Sequence, residues 1–241
     1  MLQKLFSVKY YETKPTYFCF LIKCMNKKLL FYVGFFVVLV LVFWVLLYKY
    51  TDTFNQSPLG KRGNVQQFAF SAQDGSTFTN ADMKGKVCVV NYFFTICPSV
   101  CPIMNNNMKK TVYETFKNEP DFLIVSHTCD PKHDSVAKIK RYADSLKVDT
   151  RKWVFLTGRK DSLYNMARFS YGIDDPKNVV ANIDDDFMHS QFFALVDKNG
   201  VVRGQVYDGL KADELEKLKK DIKSLLKEKP MAGNFSNSMF N

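Results

Sequence analysis

Histidine is nearly missing from this chain of 241 residues: only His127, His133 and His189 occur. Imidazole chemistry therefore has three candidates. Cysteine is also sparse, at Cys19, Cys24, Cys88, Cys97, Cys101 and Cys129. That is too few for a domain stapled by disulfides, and only Cys97 and Cys101 show a purposeful spacing. Acidic residues are in deficit, giving a net charge of +10. Yet there is no basic stripe with interleaved aromatics, so nucleic acid is set aside as a partner. No internal repeat is present. Aromatics are plentiful, with 22 Phe and 12 Tyr, which excludes general disorder. The length leaves room for one domain with a sizeable core beside a targeting segment.

What is concentrated in one place is apolarity. Residues 29–48, "LLFYVGFFVVLVLVFWVLLY", carry no charge over 20 positions. At about 1.5 Å of rise per residue they reach about 30 Å, the hydrocarbon thickness of a bilayer. Tyr32, Trp44 and Tyr48 lie towards the ends, as interfacial aromatics do. A cleaved signal peptide needs a shorter apolar region and a small-residue cleavage site, and neither "LLYKY" nor "TDTFNQ" supplies one. The expectation is one uncleaved transmembrane signal anchor. Residues 1–28 carry six lysines against one acidic residue, and few basic residues follow the span. The amino terminus is thus expected in the cytoplasm and the following domain outside it, on the periplasmic side in a bacterium. Met25 opens "MNKKLLFYVG", a natural start for a signal anchor, so the initiator is open between Met1 and Met25. Outside the cytoplasm thiols are commonly oxidised or metal-bound, and a close cysteine pair there gains weight.

The remaining organisation is a basic segment 1–28, a span 29–48, a polar linker 49–63, a domain 64–228 and a loose tail 229–241. "QQFAFSAQDGSTFT" alternates around Asp74-Gly75, a hairpin signal. "KVCVVNYFF" (86–94) is a buried central strand, with Cys88 a small core residue. Met104, Met108, Val112 and Phe116 recur every four residues, which predicts a helix with both methionines in the core. "DFLIVSHT" (121–128) is a second strand, followed by a helix marked by Val136, Ile139, Ala143 and Leu146, for which Asp134 is the expected N-cap. "WVFLTG" (153–158) is a third strand, Leu163 to Ala167 a short helix, "QFFALVDKNGVVRGQVY" (191–207) a hairpin turning at Asn199-Gly200, and Leu215 to Leu225 a last amphipathic helix. This order predicts an α/β thioredoxin-like sandwich, a central mixed sheet flanked by helices, with its paired cysteines at the first βα junction.

Those cysteines stand in "NYFFTICPSVCPIM", each followed by proline. Proline suits a helix's first turn because the N–H it lacks would have no partner there. Both sulfurs then lie near a helix N-terminus, where unpaired N–H groups favour thiolate. Two such sulfurs can close a disulfide or grip a soft metal, Cu(I) or Zn(II). Two are too few for a structural zinc site, so a third ligand is sought elsewhere. His189 lies in "DDDFMHSQFFALVD", just before the late strand, where ordinary thioredoxins carry a cis-proline. Facing the cysteines it completes a site of two sulfurs and one nitrogen, suited to Cu(I), or to Cu(II) with an added oxygen. Taken alone, it reads better as an exposed loop histidine; the cysteine pair and the order of elements favour the ligand reading.

The combination of "FFTICPSVCPIM", "VSHTCDPKHDSVAKIKRYA" and "MHSQFFALVDKNGVVRG" resembles the SCO (SenC) family, the copper-binding assembly factors of cytochrome c oxidase, over about residues 64–228. The resemblance implies Cys97 and Cys101 as thiolate ligands, His189 as the imidazole ligand and Asp130 as a secondary acidic group near the site. Asp130-Pro131 reads otherwise as a turn. It also implies a membrane-anchored copper metallochaperone serving the dinuclear copper site of oxidase subunit II. The alternative is a thiol–disulfide oxidoreductase in which Cys97 and Cys101 are a redox pair acting on extracytoplasmic cysteines; either needs a thiol reductant. Cys129 reads as a buried strand-end residue, or as a partner for Cys97 or Cys101 under oxidation. His127, Cys129 and His133 could imitate a metal site but lack a fourth ligand.

Overall fold

The structure is a computed structural model that describes residues 26–50, 57–178, 182, 183, 186, 188 and 190–230. The chain divides into two units, Met1–Phe54 and Asn55–Asn241. In the first, α1 (Lys27–Tyr50) is a single helix whose residues through Leu46 expose their side chains. Its uncharged run makes it long and apolar enough to cross a bilayer. Residues 1–25 of the basic segment, Met25 among them, lie outside the described residues, as does the tail from residue 231.

The second unit is built on one sheet of eight strands. They are β1 (Lys61–Asn64), β2 (Ala69–Ala72), β3 (Thr77–Thr79), β4 (Val87–Phe93), β5 (Phe122–Thr128), β6 (Trp153–Thr157), β7 (Phe192–Val196) and β8 (Val201–Asp208), in the spatial order β1-β8-β7-β4-β5-β6-β2-β3. β4, β5 and β6 are parallel, while β7, β8 and the β2–β3 hairpin run antiparallel. Every residue of β4 and β5 is buried, and both read as mainly apolar runs, interrupted by Asn91 in β4 and closing on Ser126-His127-Thr128 in β5. This is the mixed-sheet thioredoxin-like sandwich expected. The polar stretch before residue 64 is not all connector: Lys61, Gly63 and Asn64 pair with β8 as an edge strand. That pairing uses backbone alone and leaves no hydrophobic period to read.

Helices cover both faces. On one lie α2 (helical from Val100 to Phe116, its middle turn Met108–Tyr113 widened to a π-helix), α3 (Val136–Leu146) and α5 (Ala212–Lys227). Their apolar stripes, including Met104, Met108, Ile139 and Leu218, pack on Val87, Val89, Ile124 and Phe155. On the other lies α4 (Lys160–Asn165) with its π-helical continuation Met166–Tyr171, packed on Cys88, Val90, Tyr92 and Leu156. Cys88 is a core residue, its thiol pushed up to about 12 by burial.

A polar chain crosses the sheet inside the first core. Trp153 Nε1 donates to Ser126 Oγ (2.8 Å), Ser126 Oγ to Asn91 Oδ1 (2.5 Å), Asn91 Nδ2 to Asn105 Oδ1 (3.3 Å) and Asn105 Nδ2 to Tyr142 Oη (2.7 Å). Asn105 lies one helical turn after Cys101, so these bonds fix the register of α2 against β4 and β5.

Candidate metal and thiol site

β4 ends at Phe93, and the chain turns through "FTICPS" into α2. Ser99 stands at the helix cap, but its side chain makes no capping bond. Cys97 Sγ accepts the Cys101 N–H instead, at 3.4 Å. A sulfur therefore occupies the place where an orphan helix N–H wants an acceptor. Pro102, at the third helical position, gives up an N–H that has no carbonyl to meet.

The two thiols sit in unlike surroundings. Cys97 is partly exposed and Cys101 is buried. Partial burial pushes the Cys97 thiol up. Hydrogen bonds from the Cys101 thiol, the backbone N–H groups of Ser99 and Cys101 and the Ser99 hydroxyl outweigh it and hold Cys97 below the ordinary thiol range. Cys101 is pushed up to about 12, first by burial and then by serving Cys97 as hydrogen-bond donor. The pair is an accessible, more acidic thiol backed by a buried, less acidic one, both free.

The loop bearing Cys97 is tied to the end of β5 through Asp134. This carboxylate is fully buried, accepting the Thr95 N–H at 3.1 Å, the Thr95 hydroxyl at 2.5 Å and the Thr128 hydroxyl at 2.6 Å. Thr128 Oγ1 in turn accepts the Asp130 N–H at 2.9 Å. Asp134 is therefore not the N-cap of α3. Ser135 holds that position, and Asp134 faces inward to partners that sequence spacing could not show.

Asp130 lies beyond the end of β5 with its carboxylate 2.9 Å from Nδ1 of the exposed His133. Cys129 is buried, its N–H donating to the Phe93 carbonyl at 2.8 Å and its own carbonyl accepting the Tyr164 hydroxyl at 2.8 Å. Burial, followed by the charge of Cys101, raises its thiol far above the ordinary range. His127 is buried among Phe68, Phe70, Tyr92 and Tyr171, and neither ring nitrogen has a partner. Among the described residues no three His, Cys, Asp or Glu side chains gather closely enough to hold an ion, so His127, Cys129 and His133 form no site. His189 lies outside the described residues; its neighbours Met188 and Ser190 do not, and Met188 is buried. Two features escaped sequence reasoning: the Asp134 tie, and the anchoring of the Met188 segment by Tyr164. Both join residues remote in sequence, and no local pattern announces them.

As a donor set, Cys97 and Cys101 supply two adjacent soft sulfurs, one reachable from solvent. That suits a soft, low-coordinate cation and also suits thiol–disulfide exchange.

The SCO1/SenC family model matches residues 56–227. The chain is similar to a SCO1/SenC family lipoprotein from Bacillus anthracis str. Ames, at 31% identity and a TM-score of 0.57, covering 68% of this chain and 95% of that one. It is similar to BsSco, a member of the Sco family of cytochrome c oxidase assembly proteins, at 26% identity and a TM-score of 0.56, covering 70% and 96%. Bradyrhizobium japonicum ScoI with copper bound shares the fold at 22% identity and a TM-score of 0.53, covering 67% and 99%. With the family match running across the whole second unit but its last residues, this chain belongs to the SCO1/SenC family.

Proposed function

We propose that this protein is a membrane-anchored copper metallochaperone that binds copper through Cys97, Cys101 and His189 and delivers it during assembly of the dinuclear copper site of cytochrome c oxidase subunit II. The observation that carries the reading is the thiol pair: two free sulfurs four residues apart at a helix N-terminus, joined by the 3.4 Å contact of Cys97 Sγ with the Cys101 N–H. Copper is the ion bound in ScoI, and oxidase assembly is the role of the Sco family. The ion is cargo. Thiolates favour Cu(I) by softness, and three ligands leave an open position for an incoming donor, so that transfer proceeds by ligand exchange without a free ion. Asp130 is a secondary group beside the site. The apolar α1 anchors the protein by one span, and the lysines flanking its start favour an amino terminus in the cytoplasm and a domain on the outer face.

The unlike acidities of Cys97 and Cys101 favour a second activity. A thiolate backed by a buried thiol can reduce a client disulfide: Cys97 attacks, a mixed disulfide forms, Cys101 displaces the client thiol, and the pair leaves oxidised with the client reduced. A thiol reductant must then restore the pair.

The test is anaerobic copper loading of the reduced full chain in detergent, followed by metal analysis. Wild type is expected to retain about one copper per chain, Cys97→Ser and Cys101→Ser to lose it, and His189→Ala to hold it more weakly. If His189→Ala binds as well as wild type while the cysteine pair still exchanges with disulfides, the protein is an oxidoreductase.

A further inference from the structure

The segment between α4 and β7 carries Met188-His189-Ser190 near its end, and two buried side chains of α4 and its continuation hold four of its described residues, Asp174, Asn178, Asp186 and Met188. Tyr164 is fully buried. Its hydroxyl donates to the Cys129 carbonyl at 2.8 Å and accepts the Met188 N–H at 3.2 Å. One hydroxyl therefore joins the residue before Asp130 to the residue before His189. Arg168, one helical turn further on, exposes 3% of its side chain. Its Nε donates to Asp174 Oδ2 at 2.7 Å and its Nη2 to the Asn178 carbonyl at 3.1 Å. Nη2 also pairs with Asp186 Oδ2 at 2.8 Å, without the alignment of a hydrogen bond. The guanidinium lies 5.5 Å from the centre of the Tyr164 ring.

A buried arginine between two carboxylates is a poor source of net stability, because desolvation offsets most of the attraction. What such a group provides is definite geometry: Arg168 spends its bonds on the segment between α4 and β7, and Tyr164 joins that segment to the end of β5. Tyr164 is the more telling of the two. A phenylalanine would fill the same space, and the hydroxyl adds only backbone contacts: the Cys129 carbonyl, the Met188 N–H and, at 3.4 Å, the Asp186 carbonyl. These contacts span the end of β5, which Asp134 already ties to the loop bearing Cys97.

We infer that Tyr164, seconded by Arg168, is a positioning residue that sets the spacing between the thiol side of the metal site and the segment delivering His189. This rests on the reading of His189 as a ligand. Tyr164 touches no reacting atom; it acts through the Met188 N–H. A misplaced imidazole leaves the two thiolates bound to copper but weakens the third bond.

The test uses the full chain in detergent, comparing Tyr164→Phe, Arg168→Lys and His189→Ala with wild type. Three readouts are needed: far-UV circular dichroism for the fold, Cu(I) affinity by competition with a chromophoric chelator, and nitrogen hyperfine coupling in the paramagnetic resonance spectrum of the Cu(II) form. Tyr164→Phe is expected to keep its fold and its thiolate-to-copper absorption, to lose or broaden the nitrogen coupling, and to bind Cu(I) about tenfold more weakly. Arg168→Lys is expected to shift both metal readouts in the same direction. If Tyr164→Phe matches wild type in coupling and affinity while His189→Ala loses both, the positioning role is overturned and the ligand assignment stands. If His189→Ala keeps the nitrogen coupling of wild type, the ligand assignment falls and the inference with it. Should Tyr164→Phe fail to fold, Arg168→Lys decides: wild-type coupling and affinity there overturn the inference.

Discussion

Cys97 and Cys101 differ because a helix N-terminus treats its first sulfur and its second differently. The first caps the helix from outside and collects N–H and hydroxyl donors; the second is carried inward by one turn and loses water. Brief treatment of the reduced protein with iodoacetamide at neutral pH, read by mass spectrometry, is expected to label Cys97 at least about tenfold faster than Cys88, Cys101 or Cys129. Equal labelling of Cys97 and Cys101 would contradict the assignment of Cys97 as the accessible, more acidic thiol. His127 is the other residue whose environment makes a clear demand. Burial alone lowers its pKa to about 3, so it stays neutral in the fold. The unfolded chain takes up a proton below the ordinary histidine value of about 6.5. Stability on this account is full above that value and falls as pH drops towards 3, at up to about 1.4 kcal/mol per pH unit. His127→Phe should keep the stacking on Tyr92, remove two unpaired nitrogens, stabilise the fold by about 1–3 kcal/mol and flatten the acid limb of a urea-melting series. An unchanged pH dependence in His127→Phe would show that another group drives acid unfolding.

Single elements were largely legible, for reasons that differ between them. β4 and β5 announce themselves because burial on both faces leaves a mainly apolar run in each, broken by Asn91 in β4 and by the Ser126-His127-Thr128 end of β5. α2, α3 and α5 announce themselves by one apolar stripe each, and the hairpins by Asp74-Gly75 and Asn199-Gly200. β1 is silent because "KRGN" pairs through backbone to β8 and buries no side chain. The joins between elements are also silent. Asp134 lies 39 residues from Thr95, and its proximity to the start of α3 suggested a cap that Ser135 occupies. Tyr164 is similarly remote from Cys129 and Met188. At the site, the thiol pair was written in local spacing, whereas the ties that hold its loops exist only in the fold. Asp134→Ala removes the acceptor of three hydrogen bonds and leaves two threonine hydroxyls and an N–H unsatisfied. The expected loss is about 2–4 kcal/mol of stability by denaturant melting, with a larger loss of copper retention than the conservative Asp134→Asn shows. A variant as stable as wild type would mean that Asp134 does not brace the cysteine loop.

The whole molecule combines an apolar helix fit to span a bilayer with a thioredoxin-like domain of the SCO1/SenC family. In the proposed account the membrane restricts delivery to one face and one client, and the domain supplies a cysteine pair whose softness suits copper. The measurement that tests this account most directly is X-ray absorption at the copper edge on the Cu(I)-loaded full chain, beside Cys97→Ser and His189→Ala. The account predicts two sulfur neighbours and one nitrogen neighbour in wild type, one sulfur fewer in Cys97→Ser, and the nitrogen missing in His189→Ala. A copper shell without sulfur, or one unchanged by both substitutions, would contradict it.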